Sequence, residues 1–226
     1  MDPTPPAKTT AAPPPLLRRL VAIDTKISQE IHILAKPFLP HSLLLLLEIS
    51  ADFRLFFPVA LSLLLAPLLS PNPNPNSGPI QLLRPFLSPL LLGLILDLAL
   101  IGLIKFIVRR ARPVYNKNMT VAVSVDHFSF PSGHASRVCF VAALFYLSAA
   151  ALTDALVYFR STSPAIERWI GAEVKAVSVL VSVVWAWAAA TSISRILLGR
   201  HFVFDVFAGA CLGVLEGVVA FHFLRF

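Results

Sequence analysis

The chain has 226 residues, a length that suits one domain. Hydrophobic residues make up 57% and charged residues only 14%, against about 25% charged in soluble globular proteins. That balance excludes a soluble fold and marks an integral membrane protein, so the formal net charge of +7 points to an anionic membrane surface and away from nucleic acid.

In chain order, residues 1–15 (MDPTPPAKTTAAPPP) lack the basic start and apolar core of a signal peptide and predict a disordered, proline-rich tail. Over residues 16–40, apolar Leu16, Leu17, Leu20, Ile23, Ile27, Ile31 and Leu34 recur at helical spacing with charges opposite. This is an amphipathic helix that either lies on the membrane surface or packs on the loops. A membrane domain fills residues 41–226. Its first span lies within His41–Ser70, kinked at Pro58 and interrupted by Glu48, Asp52 and Arg54, which must face protein or a wet cavity because charges facing lipid are costly. After a turn-rich connector, Pro71–Pro79, spans are predicted at about Phe86–Val108, Ala135–Val157, Ala172–Ile193 and Phe202–Leu224. The expected fold is all-α, a polytopic bundle of about five transmembrane helices. Cys139 and Cys211 sit inside apolar runs without metal-site spacing and read as reduced packing residues. There is no internal repeat, and nothing in the chain looks like a dedicated metal or cofactor site.

With five spans, the loop between spans 2 and 3 and the turn between spans 4 and 5 fall on one membrane side, X, together with the N-terminus. These are the most polar parts of the chain, and each side-X segment carries a cluster. In KFIVRRARP, Lys105, Arg109 and Arg112 are spaced i, i+4, i+7 and share one face if helical, with Pro113 ending the helix. Cations so placed suit a phosphate, although a topogenic basic flank has the same composition. In SFPSGHASR, Ser132 can cap the helix of span 3, Gly133 leaves its backbone open to close approach, and the free amides with the positive end of the dipole form an anion site beside His134. An ordinary N-cap with an interfacial histidine fits the same residues. In SRILLGRHFVFD, His201 and Asp205 stand i, i+4 at the start of span 5, where the carboxylate can accept from one ring nitrogen and leave the other as nucleophile or base. Arg195 adds a cation on the same side.

The ordered set Lys-x6-Arg-Pro, Pro-Ser-Gly-His and Ser-Arg-x5-His-x3-Asp resembles the type 2 phosphatidic acid phosphatase (PAP2) superfamily, which includes vanadium haloperoxidases and glucose-6-phosphatase. The likeness runs from about Ser42 to the C-terminus. It looks most like the polyisoprenoid diphosphate phosphatases and the plant lipid phosphate phosphatases of the beta type. The resemblance implies a helix bundle of the PAP2/haloperoxidase type and metal-independent phosphoryl transfer. His201 would attack phosphorus to give a phosphohistidine, Asp205 would orient its ring, and His134 would serve as acid and then base. Lys105, Arg112, Ser132, Gly133 and Arg195 would hold the phosphoryl oxygens. The partners implied are the bilayer and a lipid phosphate or isoprenoid diphosphate, with phosphatidate or lysophosphatidate, giving diacylglycerol from phosphatidate, as the alternative substrate.

Other polar residues keep two readings each. Arg137 either supports the site or flanks it, and Asp126, His127 and Ser129 shape a lid or are ordinary loop residues. Asp97 orients the basic row or makes an interhelical hydrogen bond, while Glu48 and Asp52 could contact the site's cations; Trp185 and Trp187 pack or face lipid. Outside the proposed phosphate ligands, Lys8, Arg18, Arg19, Lys26, Lys36, Arg109, Arg110, Lys117 and Arg200 on side X outnumber Arg84, Arg160, Arg168, Lys175 and Arg225 on side Y. The bias places X in the cytosol, against an Asn118–Thr120 glycosylation sequon that would need X lumenal, and an endomembrane such as the endoplasmic reticulum is the default home. A transporter lined by Glu48, Asp52 and Asp97, or a non-catalytic scaffold, would leave the ordered His and Arg clusters unexplained. The chain carries no sign of its oligomeric state.

Overall fold

The computed structural model describes residues 15–35, 37–65, 79–115, 127–162 and 173–225. The proline-rich tail up to residue 14, most of the Pro71–Pro79 connector, the Asn118 sequon and Asp126 lie outside the described residues. Among the described residues the chain forms eight helices: α1 (Pro15–Ala35), α2 (His41–Ser50), α3 (Phe53–Leu65), α4 (Pro79–Val108), α5 (Gly133–Leu147), α6 (Ala149–Thr162), α7 (Glu173–Leu197) and α8 (Val203–Phe223).

Three of these, α4, α7 and α8, are long and apolar enough to cross a membrane. At 1.5 Å per residue the 30-residue α4 runs about 45 Å, more than the roughly 30 Å hydrocarbon layer. Span 3 of the sequence is not continuous: α5 and α6 meet at Ser148 with a 67° bend, and only taken together are they long and apolar enough for a fourth crossing. The first predicted span also differs. It is two short helices of 10 and 13 residues, α2 and α3, and Pro58 lies inside α3. The break falls earlier, where the Asp52 carboxylate accepts from the Arg54 amide at 2.9 Å and so starts α3. The freed carbonyl of the fully buried Ala51 accepts from Arg137 at 3.1 Å.

The bundle is organised around α5, whose first three turns are buried except at the half-buried His134. Gly209, Gly213 and Gly217 form a row at i, i+4, i+8 along α8 and lie against α5. A methyl group built at Gly213 would collide with the carbonyl of Ser136, and one at Gly209 with the carbonyl of Ser132. On the opposite side, Gly93 of α4 receives the ring of Phe140, which is 0% exposed. In lipid the gain from such contacts is van der Waals packing, since lipid tails are as apolar as leucine, and small residues let backbones approach closely enough to collect it. Phe86, Leu90 and Leu94 of α4, with Leu144 of α5 and Ala220 of α8, complete this core.

The row predicts an asymmetry between glycines. Gly213→Val should destabilise the α5–α8 pair by about 1–3 kcal/mol or more, the usual cost of overpacking. Gly102→Ala, with no atom within 4 Å of an added methyl, should leave the unfolding midpoint in detergent unchanged. Differential scanning fluorimetry of the purified variants reads both.

Candidate active site

The row of cations at the end of α4 is not a helix face. The helix stops at Val108, and Arg109 takes a left-handed backbone conformation (φ 49°) that reverses the chain. Its side chain folds outward, Nε donating to the carbonyl of Phe106 at 2.9 Å with the guanidinium 4.7 Å from that ring. Lys105, in the last helical turn, stays buried at the site, while Arg112 reaches it from the segment beyond the helix and donates to the carbonyl of Arg200 at 3.3 Å. Arg110, counted by sequence as a flanking charge, turns inward: it pairs with Asp205 at 2.7 Å and with Asp24 of α1 at 2.6 Å.

The far end of the same loop is tied to this segment. Ala111 bridges Phe128, and the Ser129 amide and hydroxyl donate to the carbonyls of Arg110 (2.8 Å) and Ala111 (3.0 Å). Ser132 is the N-cap of α5, its hydroxyl accepting from Ala135 at 3.5 Å and its own amide donating to the carbonyl of Asp205 at 2.9 Å. That last bond pins the start of α5 to the first turn of α8. Gly133 and His134 open the helix, and His134 lies within electrostatic reach of Lys105, Arg137, Arg195 and His201.

The α7–α8 turn delivers the second histidine. The amide of Arg200 bonds the carbonyl of Arg195 (3.0 Å) and that of Gly199 bonds Ile196 (2.9 Å), a Schellman motif with Gly199 in the left-handed conformation at φ 65°. A side chain at Gly199 would also press into the ring of Tyr115. The chain leaves this turn with His201 just ahead of α8, 1% exposed.

Its ring is not held as the sequence predicts. His201 Nδ1 lies 2.7 Å from the backbone carbonyl of Ser129 and 3.8 Å from Asp205 Oδ2, so the carbonyl is the hydrogen-bond acceptor. The Asp205 carboxylate is occupied by the amide of Phe202 (2.9 Å) and by Arg110 (2.7 Å), because at the third position of α8 it closes on its own helix start. A carbonyl acceptor requires the proton on Nδ1 and leaves the lone pair on Nε2. Burial first, and then the Arg112, Arg195 and Lys105 charges, hold His201 well below the ordinary histidine range; the Ser129 carbonyl pulls weakly the other way. The imidazole is therefore neutral near pH 7.

Arg195 is 2% exposed and is countered by Glu48 of α2 at 3.0 Å, whose other oxygen stands 3.5 Å from Arg200. Lys105, Arg112, Ser132, Gly133, His134, Arg195, His201 and Asp205 are thus brought to one end of the bundle, with Glu48 beside them. Asp52 pairs instead with Arg54 at 2.7 Å. Arg137 turns away to Asp97 at 3.1 Å, in a buried group with Ser136 and Glu216 that joins α4, α5 and α8. His127 is exposed; Trp187 donates to Ser50 at 2.9 Å and Trp185 lies at the surface. Cys139 is buried, Cys211 is exposed, and both are free thiols.

The comparisons with known proteins bear on the family and the fold. The model of the PAP2 superfamily matches residues 86–226. A probable lipid phosphate phosphatase beta of Arabidopsis thaliana is 51% identical over 215 residues, covering 92% of this chain and 91% of the relative. The fold is similar to that of a transmembrane PAP2-type phosphatidylglycerolphosphate phosphatase of Bacillus subtilis, with a TM-score of 0.53 at 19% identity, over 89% of this chain and 84% of that one. The family model, which matches more than half of the chain, and the 51% identity to the Arabidopsis relative over most of its length place this chain in the PAP2 superfamily.

Proposed function

We propose that this protein is a membrane lipid phosphate phosphatase that works through a phosphohistidine on His201. The observation that carries the reading is the state of that ring: neutral, buried, fixed by a carbonyl on Nδ1, and surrounded by cations that suit a phosphate. Phosphoryl transfer needs positioning and charge stabilisation, and this end of the bundle supplies both. The Gly133 and His134 amides at the start of α5, with Lys105, Arg112 and Arg195, would take the phosphoryl oxygens.

In the first step the Nε2 lone pair forms the N–P bond as the P–O bond to the lipid breaks, and His134 gives its proton to the leaving oxygen. Docking of the phosphate dianion among the cations favours the imidazolium form of His134 that this requires. Water then attacks phosphorus, His134 takes its proton, the N–P bond breaks, and phosphate leaves. Asp205 acts on His201 indirectly, by fixing the start of α8 and the position of Arg110.

For the substrate we favour an isoprenoid diphosphate, from the likeness to the polyisoprenoid diphosphate phosphatases; the Arabidopsis relative's name supports the broader class of lipid phosphates. The excess of Lys and Arg on the site side supports a cytosolic-facing site on an endomembrane such as the endoplasmic reticulum.

Phosphate release from farnesyl diphosphate and phosphatidate, measured side by side in EDTA, tests this. Activity is expected to survive the chelator and to vanish in His201→Ala; full activity in that variant would refute the mechanism. His134→Ala should cost roughly 10²–10⁴-fold on phosphatidate and less on the diphosphate, whose leaving group is already stable.

The charges around His201 also set a pH signature. Its depressed pKa keeps the nucleophile unprotonated below pH 6.5, so its acid limb in kcat/KM lies below that value. Arg112→Gln removes a repelling cation, favours the imidazolium, and should move the limb upward relative to wild type on the same substrate. A downward shift contradicts the electrostatic account.

A further inference from the structure

The turn that carries His201 is held from outside the helices that build the site. α8 starts after Phe202, whose side chain offers nothing to the free amides of a helix start. Helix α1 supplies the acceptors. Ser28 Oγ accepts from the amide of Val203 at 3.0 Å, and Asp24 Oδ1 accepts from the amide of Phe204 at 3.1 Å. The second oxygen of Asp24 receives Arg110 at 2.6 Å, and the other arm of that guanidinium reaches Asp205 at 2.7 Å while its plane lies 4.1 Å above the ring of Phe202. Farther along α1, His32 Nδ1 donates to the carbonyl of Leu197, the last residue of α7, at 2.6 Å. One helix therefore grips both ends of the turn 198–202.

The exposure pattern of α1 shows which face does this. Asp24 and Ser28 are 1% and 0% exposed, while Leu20, Ile23, Ile27 and Leu34 are exposed. The helix turns its buried polar pair to the protein and leaves apolar side chains outside, an arrangement suited to an interfacial helix in a bilayer. Residues 15–35 lie before the stretch that the family model matches.

We propose that Asp24 is a positioning residue for catalysis, fixing the start of α8 and, through Arg110, the carboxylate of Asp205, so that the imidazole of His201 is held in line with phosphorus. This rests on the reading of His201 as nucleophile. The phosphate holders sit on α4, α5 and α7 and on the segment after α4, so loosening the turn degrades attack more than binding. A misplacement of about 1 Å in such a reaction costs on the order of 100-fold.

The test uses the full chain, purified in detergent, with kcat and KM measured on farnesyl diphosphate or phosphatidate, whichever is turned over faster, and unfolding midpoints recorded alongside. Asp24→Asn keeps an acceptor for Phe204 but loses the charge on Arg110; its kcat should fall on the order of 10-fold with KM within about 3-fold, and Asp24→Ala should fall on the order of 100-fold. Glu30→Gln, an exposed carboxylate on the same helix, should behave as wild type. In a double-mutant cycle, adding Asp24→Asn to Arg110→Gln should cost little beyond Arg110→Gln alone. A wild-type kcat in Asp24→Asn and in folded Asp24→Ala, or a loss confined to KM, overturns the proposal. If Asp24→Ala does not fold, Asp24→Asn and Ser28→Ala decide it, and an unchanged kcat in both overturns it. Retained activity in His201→Ala would instead overturn the phosphohistidine reading, and a dead His201→Ala beside a wild-type kcat in both Asp24→Asn and folded Asp24→Ala overturns this proposal alone.

Discussion

The close approach of α5 and α8 is the constraint on which the rest depends. Glycines 209, 213 and 217 bring the two backbones so near that the Ser132 amide bonds the Asp205 carbonyl across the interface at 2.9 Å. Two helix N-termini then open at the same level of the bundle, each with a histidine beside it. The Schellman turn after α7 and the stitched loop after α4 add the cations from either side. Move α8 outward by the width of one methyl group and both the capped start of α5 and the Ser129 carbonyl that holds His201 lose their register.

The electrostatics follow from that geometry. Two helix starts would both attract an anion, but the protein occupies one of them itself: Asp24, Ser28 and Asp205 take the amides of Phe204, Val203 and Phe202, respectively. Among the described residues the start of α5 is capped by the neutral Ser132, and in the proposed mechanism it is the end that takes the phosphate. The cations around it repel one another, and Glu48 is the carboxylate that restrains Arg195 and Arg200. That balance leaves net positive charge next to a neutral imidazole, as the proposed binding of a phosphate dianion requires.

Much of this was legible because polar residues stand out in an apolar chain. Three clusters and two histidines could be read from residue types and spacing, and an amphipathic helix over residues 16–40 from its period, of which the structure forms Pro15–Ala35. What escaped depends on where helices end. The face drawn through Lys105, Arg109 and Arg112 fails because the helix stops at Val108, and a positive φ at an arginine carries no glycine to announce it. The same early stop turns Arg110 inward. Asp52 reads as a charge inside a span, yet it starts a helix. The partners of Asp24 are far away in sequence, and on an amphipathic helix a buried aspartate is indistinguishable from a solvated one. Glu216 hides in an apolar run, although a charge in such a run signals a partner, here Ser136 with the nearby Asp97–Arg137 pair.

The most direct test of the account is to look for the covalent intermediate. Rapid acid-free quenching of the enzyme with lipid substrate labelled at its terminal phosphate, followed by alkaline digestion and peptide mapping, should show a base-stable, acid-labile label on the peptide containing His201. The label should be absent in His201→Ala. Label on another residue, or single turnover without any label at times shorter than product formation, would contradict it.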